Sequence, residues 1–186
     1  GRPLLLVARD EDKLTRLVAD LAGSTGAPVA FLALDVTDPD APVRIETQVA
    51  ASGGTVDFLV NAAGSGLSGP FDSHAPHEID RVVALNIAAL TRLMRHFLPT
   101  MRQRRRGGIL NLASLGGYIP GPYQAAYYAS KAYVISLSEA VAAEVAADRV
   151  RVTVVSPGPV DTGFHAKMRS EQSYYRRLIP AASPAG

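Results

Sequence analysis

"GGILNLASLGGYIPGPYQAAYYASK", residues 107–131, passes from one kind of pattern to another within a single run. Gly108 to Ala113 is a short, nearly unbroken apolar segment behind a glycine pair, which predicts a buried strand. Glycines and prolines between 116 and 122 predict a loop. From Gln124 to about Ala147 the residues predict a long helix. Ser114 falls just past the strand, Tyr127 thirteen residues later, and Lys131 one helical turn beyond that. Tyr127 stands four residues before the lysine and Tyr128 three, and on a helix both spacings bring a side chain near it. Spacing alone leaves open which tyrosine belongs with Lys131.

The same alternation extends in both directions. Leu4 to Ala8, Val29 to Leu34, Val56 to Val60 and Val150 to Val155 read as strands. Between them, Glu11 to Leu21, Pro42 to Ala51 and Glu78 to about Arg105 read as helices, the last with a possible bend at Pro99. Strands alternating with helices predict an α/β fold, a doubly wound parallel sheet in three layers, α/β/α. Ligands of such sheets bind beyond the carboxyl ends of the strands. The residues there are Arg9, Asp35, Asn61 to Gly64, Ser114 and Pro157 to Thr162.

Composition narrows the function classes. With 186 residues, 47% hydrophobic and 19% charged, the chain has the makings of one domain with a core. A net charge of +2 gives no reason to expect a nucleic-acid partner. The absence of cysteine excludes disulfides, thiolate metal sites and cysteine nucleophiles. No apolar run approaches the ~20 residues of a membrane span and no signal peptide is visible, so we expect a cytoplasmic protein. The first residue is not Met, and we expect the beginning of the protein to be missing.

Ser114, Tyr127 and Lys131 suit proton transfer at a carbonyl. A free tyrosine, with a pKa of about 10, is a poor acid–base group at neutral pH. A nearby ammonium lowers that value by roughly 1–3 units, and a serine hydroxyl holds a substrate oxygen and the charge that develops on it. The bland alternative is a tyrosine and a lysine on an exposed helix face.

Several motifs together resemble the short-chain dehydrogenase/reductase (SDR) family, from about Leu4 to Phe164. "VNAAG" (60–64) is similar to the family's Asn-Asn-Ala-Gly, with Ala62 in place of the second Asn. Tyr127 and Lys131 meet Tyr-x-x-x-Lys, and Ser114 lies at the family's distance before the tyrosine. The helix asparagine falls on Asn86, and "SPGPVDT" (156–162) resembles the loop over the nicotinamide. The resemblance implies an oxidoreductase moving hydride between a nicotinamide cofactor and a carbonyl or secondary alcohol. Tyr127 would be the acid/base, Lys131 its tuner and a ribose contact, Ser114 the substrate anchor and Asn86 a support for a proton relay. Tyr128 would pack against a neighbouring element. For Asn86, hydrogen bonding inside the helix is the other reading.

The cofactor implied is NADP rather than NAD. Where the family's NAD enzymes place an Asp at the end of the strand, this chain has Ala8 followed by Arg9, and an arginine can clamp a 2′-phosphate. Arg9 facing solvent is the alternative. Asp35 and Val36 match the adenine contacts, although Asp35 could instead cap the "TDPD" turn (37–40). Asn61, Ala62, Ala63, Gly64, Tyr127, Lys131, Pro157, Gly158, Val160 and Thr162 complete the expected cofactor set. The family's Thr-Gly-x-x-x-Gly-x-Gly turn is absent, as is its last strand. We therefore expect residues 1–186 to be one Rossmann-type NAD(P)-binding domain lacking its first strand and helix. The resemblance further implies a homodimer or homotetramer, paired through the helices of Asn86 and Tyr127.

Other signals carry less. "GSGLSG" (64–69) spells a dinucleotide fingerprint but is followed by Pro70 and loop, not by a helix, so a close-approach turn is expected. "RQRRRGG" (102–108) reads as a helix C-terminus, with cations at the negative end of the dipole. His74 and His77 lack a third ligand, and no metal is expected. Met94, Phe97, Leu98 and Met101 predict a buried stripe. "GYIPGPYQ" (117–124) hints at a non-polar substrate. Two rivals keep the same fold: an epimerase or dehydratase that regenerates its cofactor each cycle, and a catalytically silent cofactor-binding or scaffold protein.

Overall fold

The computed structural model describes residues 2–158. They fall into two compact units divided after Val56, each taken by itself below. Val160 and Thr162, two of the expected cofactor contacts, lie outside the described residues.

In the first unit, strand β1 (Leu4–Ala8) pairs in parallel with β2 (Val29–Ala33). Helix α1 (Glu11–Thr25) crosses between them and α2 (Ala41–Ala51) follows β2. Asp10 starts α1 by accepting from the Lys13 backbone N–H at 3.0 Å. Gly26 ends it at φ 61°, a left-handed conformation that glycine adopts without strain. The helix outruns its expected end at Leu21 because nothing before Gly26 stops it; Ser24 returns its hydroxyl to the carbonyls of Asp20 and Leu21. The register Ala8↔Ala33 brings Arg9 and Asp35 to the same carboxyl edge.

The second unit carries β3 (Phe58–Asn61), β4 (Gly107–Leu112) and β5 (Val150–Val155), parallel and side by side in chain order. Between β3 and β4 run α3 (Pro76–Val83), a π-helical turn (Ala84–Ala89) and α4 (Leu90–Gln103); between β4 and β5 runs α5 (Ala125–Glu144). Because parallel crossovers are right-handed as a rule, two in the same direction put these helices on one face. Burial alternates accordingly: Asn61, Ile109, Asn111, Val150 and Val152 are buried, whereas Phe58, Val60 and Val155 are exposed. Met94, Phe97 and Met101 of α4 and Val134 and Ile135 of α5 fill the covered side. Each such side chain is worth about 1.5–3 kcal/mol of burial.

The long helical segment expected over 78–105 changes its hydrogen bonding at 84–89, around Asn86, while Pro99 sits inside α4. The basic run at the end of α4 is tied down. Arg104 and Arg106 both reach the carboxylate of Asp57, Arg102 pairs with Asp148, and Arg105 donates to the Ala147 carbonyl. Among the described residues no helix is long and apolar enough to cross a membrane, and no group of three or more His, Asp or Glu could hold a metal.

These parallel strands with helical crossovers are the Rossmann-like α/β architecture expected from the sequence.

Candidate active site

The carboxyl edge of β3–β4–β5 gathers Asn61, Ser114 and Pro157. Backbone bonds join the segments after β4 and β5: Ala113 N–H donates to Val155, and Leu115 N–H to Pro157. The Ser114 hydroxyl caps the short turn Leu115–Tyr118, accepting from Gly116 N–H at 3.1 Å.

Helix α5 begins at Ala125, so Tyr127 and Lys131 lie one turn apart near its N-terminus. Tyr127 is half-buried, with the Ser114 side chain beside its phenol. Burial pushes the phenol above the ordinary tyrosine value, and the serine offsets part of that. Lys131 is buried, with its ammonium donating to the Leu112 carbonyl at 2.7 Å. Burial brings its pKa down to about 8. The ammonium stands 5.8 Å from the centre of the Tyr127 ring. The expected lowering of the phenol by the lysine is therefore not what these positions produce. Desolvation of both groups outweighs their attraction.

Tyr128 turns into the protein, as expected. Its ring fills the hollow left by Gly116 and Gly121; a Cβ on Gly121 would lie 2.4 Å from it. It meets the Tyr127 ring edge-on, with centroids 6.0 Å apart.

The side chain of Asn86, in the π turn, bonds outside its own helix. Its Oδ1 accepts from Ser65 N–H at 2.9 Å, while Nδ2 donates to the Ser65 carbonyl at 2.8 Å and to Ser130 Oγ at 2.9 Å. Asn61 is buried, and its amide donates to Asn111 Oδ1 at 2.8 Å. That bond engages its side chain inside the protein. Ala62 and Ala63 are exposed. A Cβ on Gly64 would lie 3.6 Å from Lys131 Nζ, an ordinary contact distance, so this stretch of backbone runs beside the ammonium. Residues 64–70 form a loop rather than opening a helix, and Gly69 N–H donates to the Tyr123 carbonyl at 2.8 Å.

In the first unit, Arg9 and Asp35 meet in an exposed ion pair at 3.6 Å. The other oxygen of Asp35 accepts from the Thr37 backbone and hydroxyl at 2.9 and 2.7 Å. Those two bonds first, and then Arg9, hold its carboxyl below the usual value. Asp35 is thus the cap of the 37–40 turn as well as the partner of Arg9. Val36 beside it is half-buried.

Sequence reasoning missed Ser65, Ser130 and Asn111. Asn111 carried a signal: a polar residue within the apolar strand "ILNL" needs a buried partner. Ser130 gave only its place beside Lys131.

The comparisons with known proteins identify the family. The family model for short chain dehydrogenases matches residues 1–173. The chain is 36% identical over 136 residues to a 3-ketodihydrosphingosine reductase of Bacteroides thetaiotaomicron, covering 73% of this chain and 51% of the relative. A short-chain dehydrogenase from Sphingobium yanoikuyae in complex with NADPH matches with a TM-score of 0.87 at 30% identity, over 98% of this chain and 70% of that one. A metagenomic short-chain oxidoreductase in complex with NADP matches at 36% identity with a TM-score of 0.76, over 86% and 71%. The chain spans about half the length of the first curated relatives it matches. With Ser114, Tyr127 and Lys131 together at one sheet edge, this chain belongs to the short-chain dehydrogenase family.

Proposed function

We propose that the protein is an NADP-dependent oxidoreductase acting on a carbonyl or secondary alcohol. The observation that carries this reading is the Ser114 side chain beside the Tyr127 phenol, one turn from a buried lysine. The fold alone would not need it.

A reduced nicotinamide, when bound, supplies the hydride. The chain's own groups handle the oxygen. Ser114 holds the substrate oxygen, Tyr127 gives it the proton, and Lys131 stabilises the phenolate left behind. A phenol kept protonated by burial is the form this reduction needs. Gly64 and Lys131 are assigned to the nicotinamide ribose, with the backbone of 61–63, Pro157 and Gly158 beside it. Arg9 is assigned to the 2′-phosphate, with Asp35 and Val36 at the adenine. NADPH in one of the related structures and NADP in another support the choice over NAD. Asn86 is assigned to holding the site in place.

The substrate is read as uncharged. Neither 58–71 nor 107–130 contains a charged residue, and these segments meet at Gly69 and Tyr123. Leu115, Tyr118, Ile119 and Tyr123 present exposed apolar surface after Ser114. A buried anion without a partner costs several kcal/mol. The reading extends to a homodimer or homotetramer through the helical segments of Asn86 and Tyr127, checked by light scattering, and to the cytoplasm, checked by fractionation.

The test is NADPH oxidation by the purified protein with a panel of ketones, each paired with its ω-carboxylated analogue. Net oxidation favouring the neutral member is expected. Turnover of a substrate without net NADPH loss would point to an epimerase or dehydratase. No turnover, with cofactor still bound, would point to a silent binding protein.

A further inference from the structure

Ser130 is almost wholly buried, at 1% exposure, and no step of the proposed chemistry uses it. Its hydroxyl nonetheless has no freedom. Oγ donates to the Tyr127 carbonyl at 2.7 Å and accepts from Asn86 Nδ2 at 2.9 Å. Asn86 has none either. The N–H and C=O of Ser65 take up one side of its carboxamide, so the amide cannot turn over without setting donor against donor. A single direction of bonding follows, from the second amide hydrogen of Asn86 through the hydroxyl of Ser130 to the turn of α5 that carries Tyr127. At the far end the peptide of Ser65 is fixed, and with it Gly64, whose Cα faces both Asn86 Oδ1 and Lys131 Nζ.

We infer that Ser130 is a positioning residue for the nucleotide: through Asn86 it holds the Gly64–Ser65 backbone against Lys131, at the place assigned above to the nicotinamide ribose. The inference rests on that assignment. A buried polar chain is strong only while every member is satisfied. Removing the hydroxyl leaves one amide hydrogen of Asn86 without an acceptor and frees the carboxamide to seek another. The loop it pins then loses its fixed distance from the ammonium. The effect is predicted on cofactor binding rather than on the proton-transfer step, because Tyr127 keeps Ser114 beside its phenol.

The experiment is a double-mutant cycle on Ser130→Ala and Asn86→Ala, reading the Kd for NADPH by fluorescence titration and the Tm of each variant. Ser130→Ala should weaken NADPH roughly tenfold, the loss of one neutral hydrogen bond. In the Asn86→Ala background the same change should cost less than about twofold, because the partner it acts through is gone. Ser130→Thr, which keeps the hydroxyl, should recover most of the affinity. An unchanged Kd with a lowered Tm, or equal effects in both backgrounds, would overturn the inference and leave Ser130 as packing. If the parent protein fails to bind NADPH, the cofactor reading itself falls and the inference falls with it. Should Ser130→Ala fail to fold, Ser130→Cys, a weak donor and acceptor of similar size, carries the test with the same expected sign.

Discussion

Lys131 places its ammonium 5.8 Å from the centre of the Tyr127 ring and spends a hydrogen bond on the Leu112 carbonyl. The ammonium is thus beside the ring, with its position fixed by β4. This arrangement burdens the fold. A buried lysine whose pKa falls from 10.5 to about 8 is more costly to keep charged in the folded chain than in the unfolded one. Lys131→Met is expected to abolish most carbonyl reduction yet raise stability near neutral pH by about 2 kcal/mol, after the lost hydrogen bond is allowed for. The unfolded chain binds the extra proton between the two pKa values, so the parent gains stability as pH rises through that window. The gap between the two proteins should close from about pH 8 to about pH 10.5. Chemical denaturation at several pH values measures it, and a Lys131→Met protein less stable than the parent at neutral pH would contradict the account.

Tyr127→Phe should lower kcat for reduction by roughly 10²–10⁴ and leave NADPH affinity within about threefold, since the ring and its packing are kept. Tyr128→Phe should be close to the parent in activity. Equal losses at the two positions would show that packing, not proton transfer, was removed.

The raised pKa of Tyr127 sets the pH behaviour of each direction. Reduction uses the protonated phenol, so it should persist through neutral pH and fall only in alkaline solution. Alcohol oxidation uses the phenolate and should rise over the same alkaline range. Paired kcat/KM profiles decide the matter; a reductive limb that falls below about pH 7 would be inconsistent with a phenol stabilised by burial.

The hollow that takes Tyr128 is narrow. Gly121→Ala puts a methyl group 2.4 Å from the ring, and Gly117→Ala puts one 2.8 Å from the Lys131 carbonyl carbon. Each should destabilise by about 2–3 kcal/mol, as overpacking does. Thermal unfolding of both variants provides the measurement. Gly23→Ala, where nothing lies within 4 Å, serves as the control and should be neutral or slightly stabilising.

Arg9→Asp is expected to lower the preference for NADP over NAD at least about tenfold, because a carboxylate repels the 2′-phosphate that a guanidinium would clamp. The ratio of kcat/KM for the two cofactors reads it directly. Asp35 has a second hold on its turn through Thr37, so the turn should survive the change.

Much of this was legible along the chain. Continuous apolar runs gave the five strands, the alternation with helices gave the parallel α/β class, and Ser114, Tyr127 and Lys131 were named from their spacing after β4. These are local properties, since period and residue type act within a few turns of backbone. Spacing left the choice of tyrosine open and family resemblance favoured Tyr127; the structure shows that the two side chains part, Tyr128 entering a glycine-lined hollow and Tyr127 lying beside Ser114. Other features could only be decided by packing. The π turn at Asn86, the engagement of Asn61 with Asn111, and the chain from Ser65 through Asn86 and Ser130 to Tyr127 join residues up to 50 positions apart. The titration of the pair was decided the same way. Sequence proximity predicted that an ammonium would lower a phenol. Burial raised the phenol and lowered the lysine instead, because desolvation depends on how many neighbours crowd a group, and that number exists only in the folded chain.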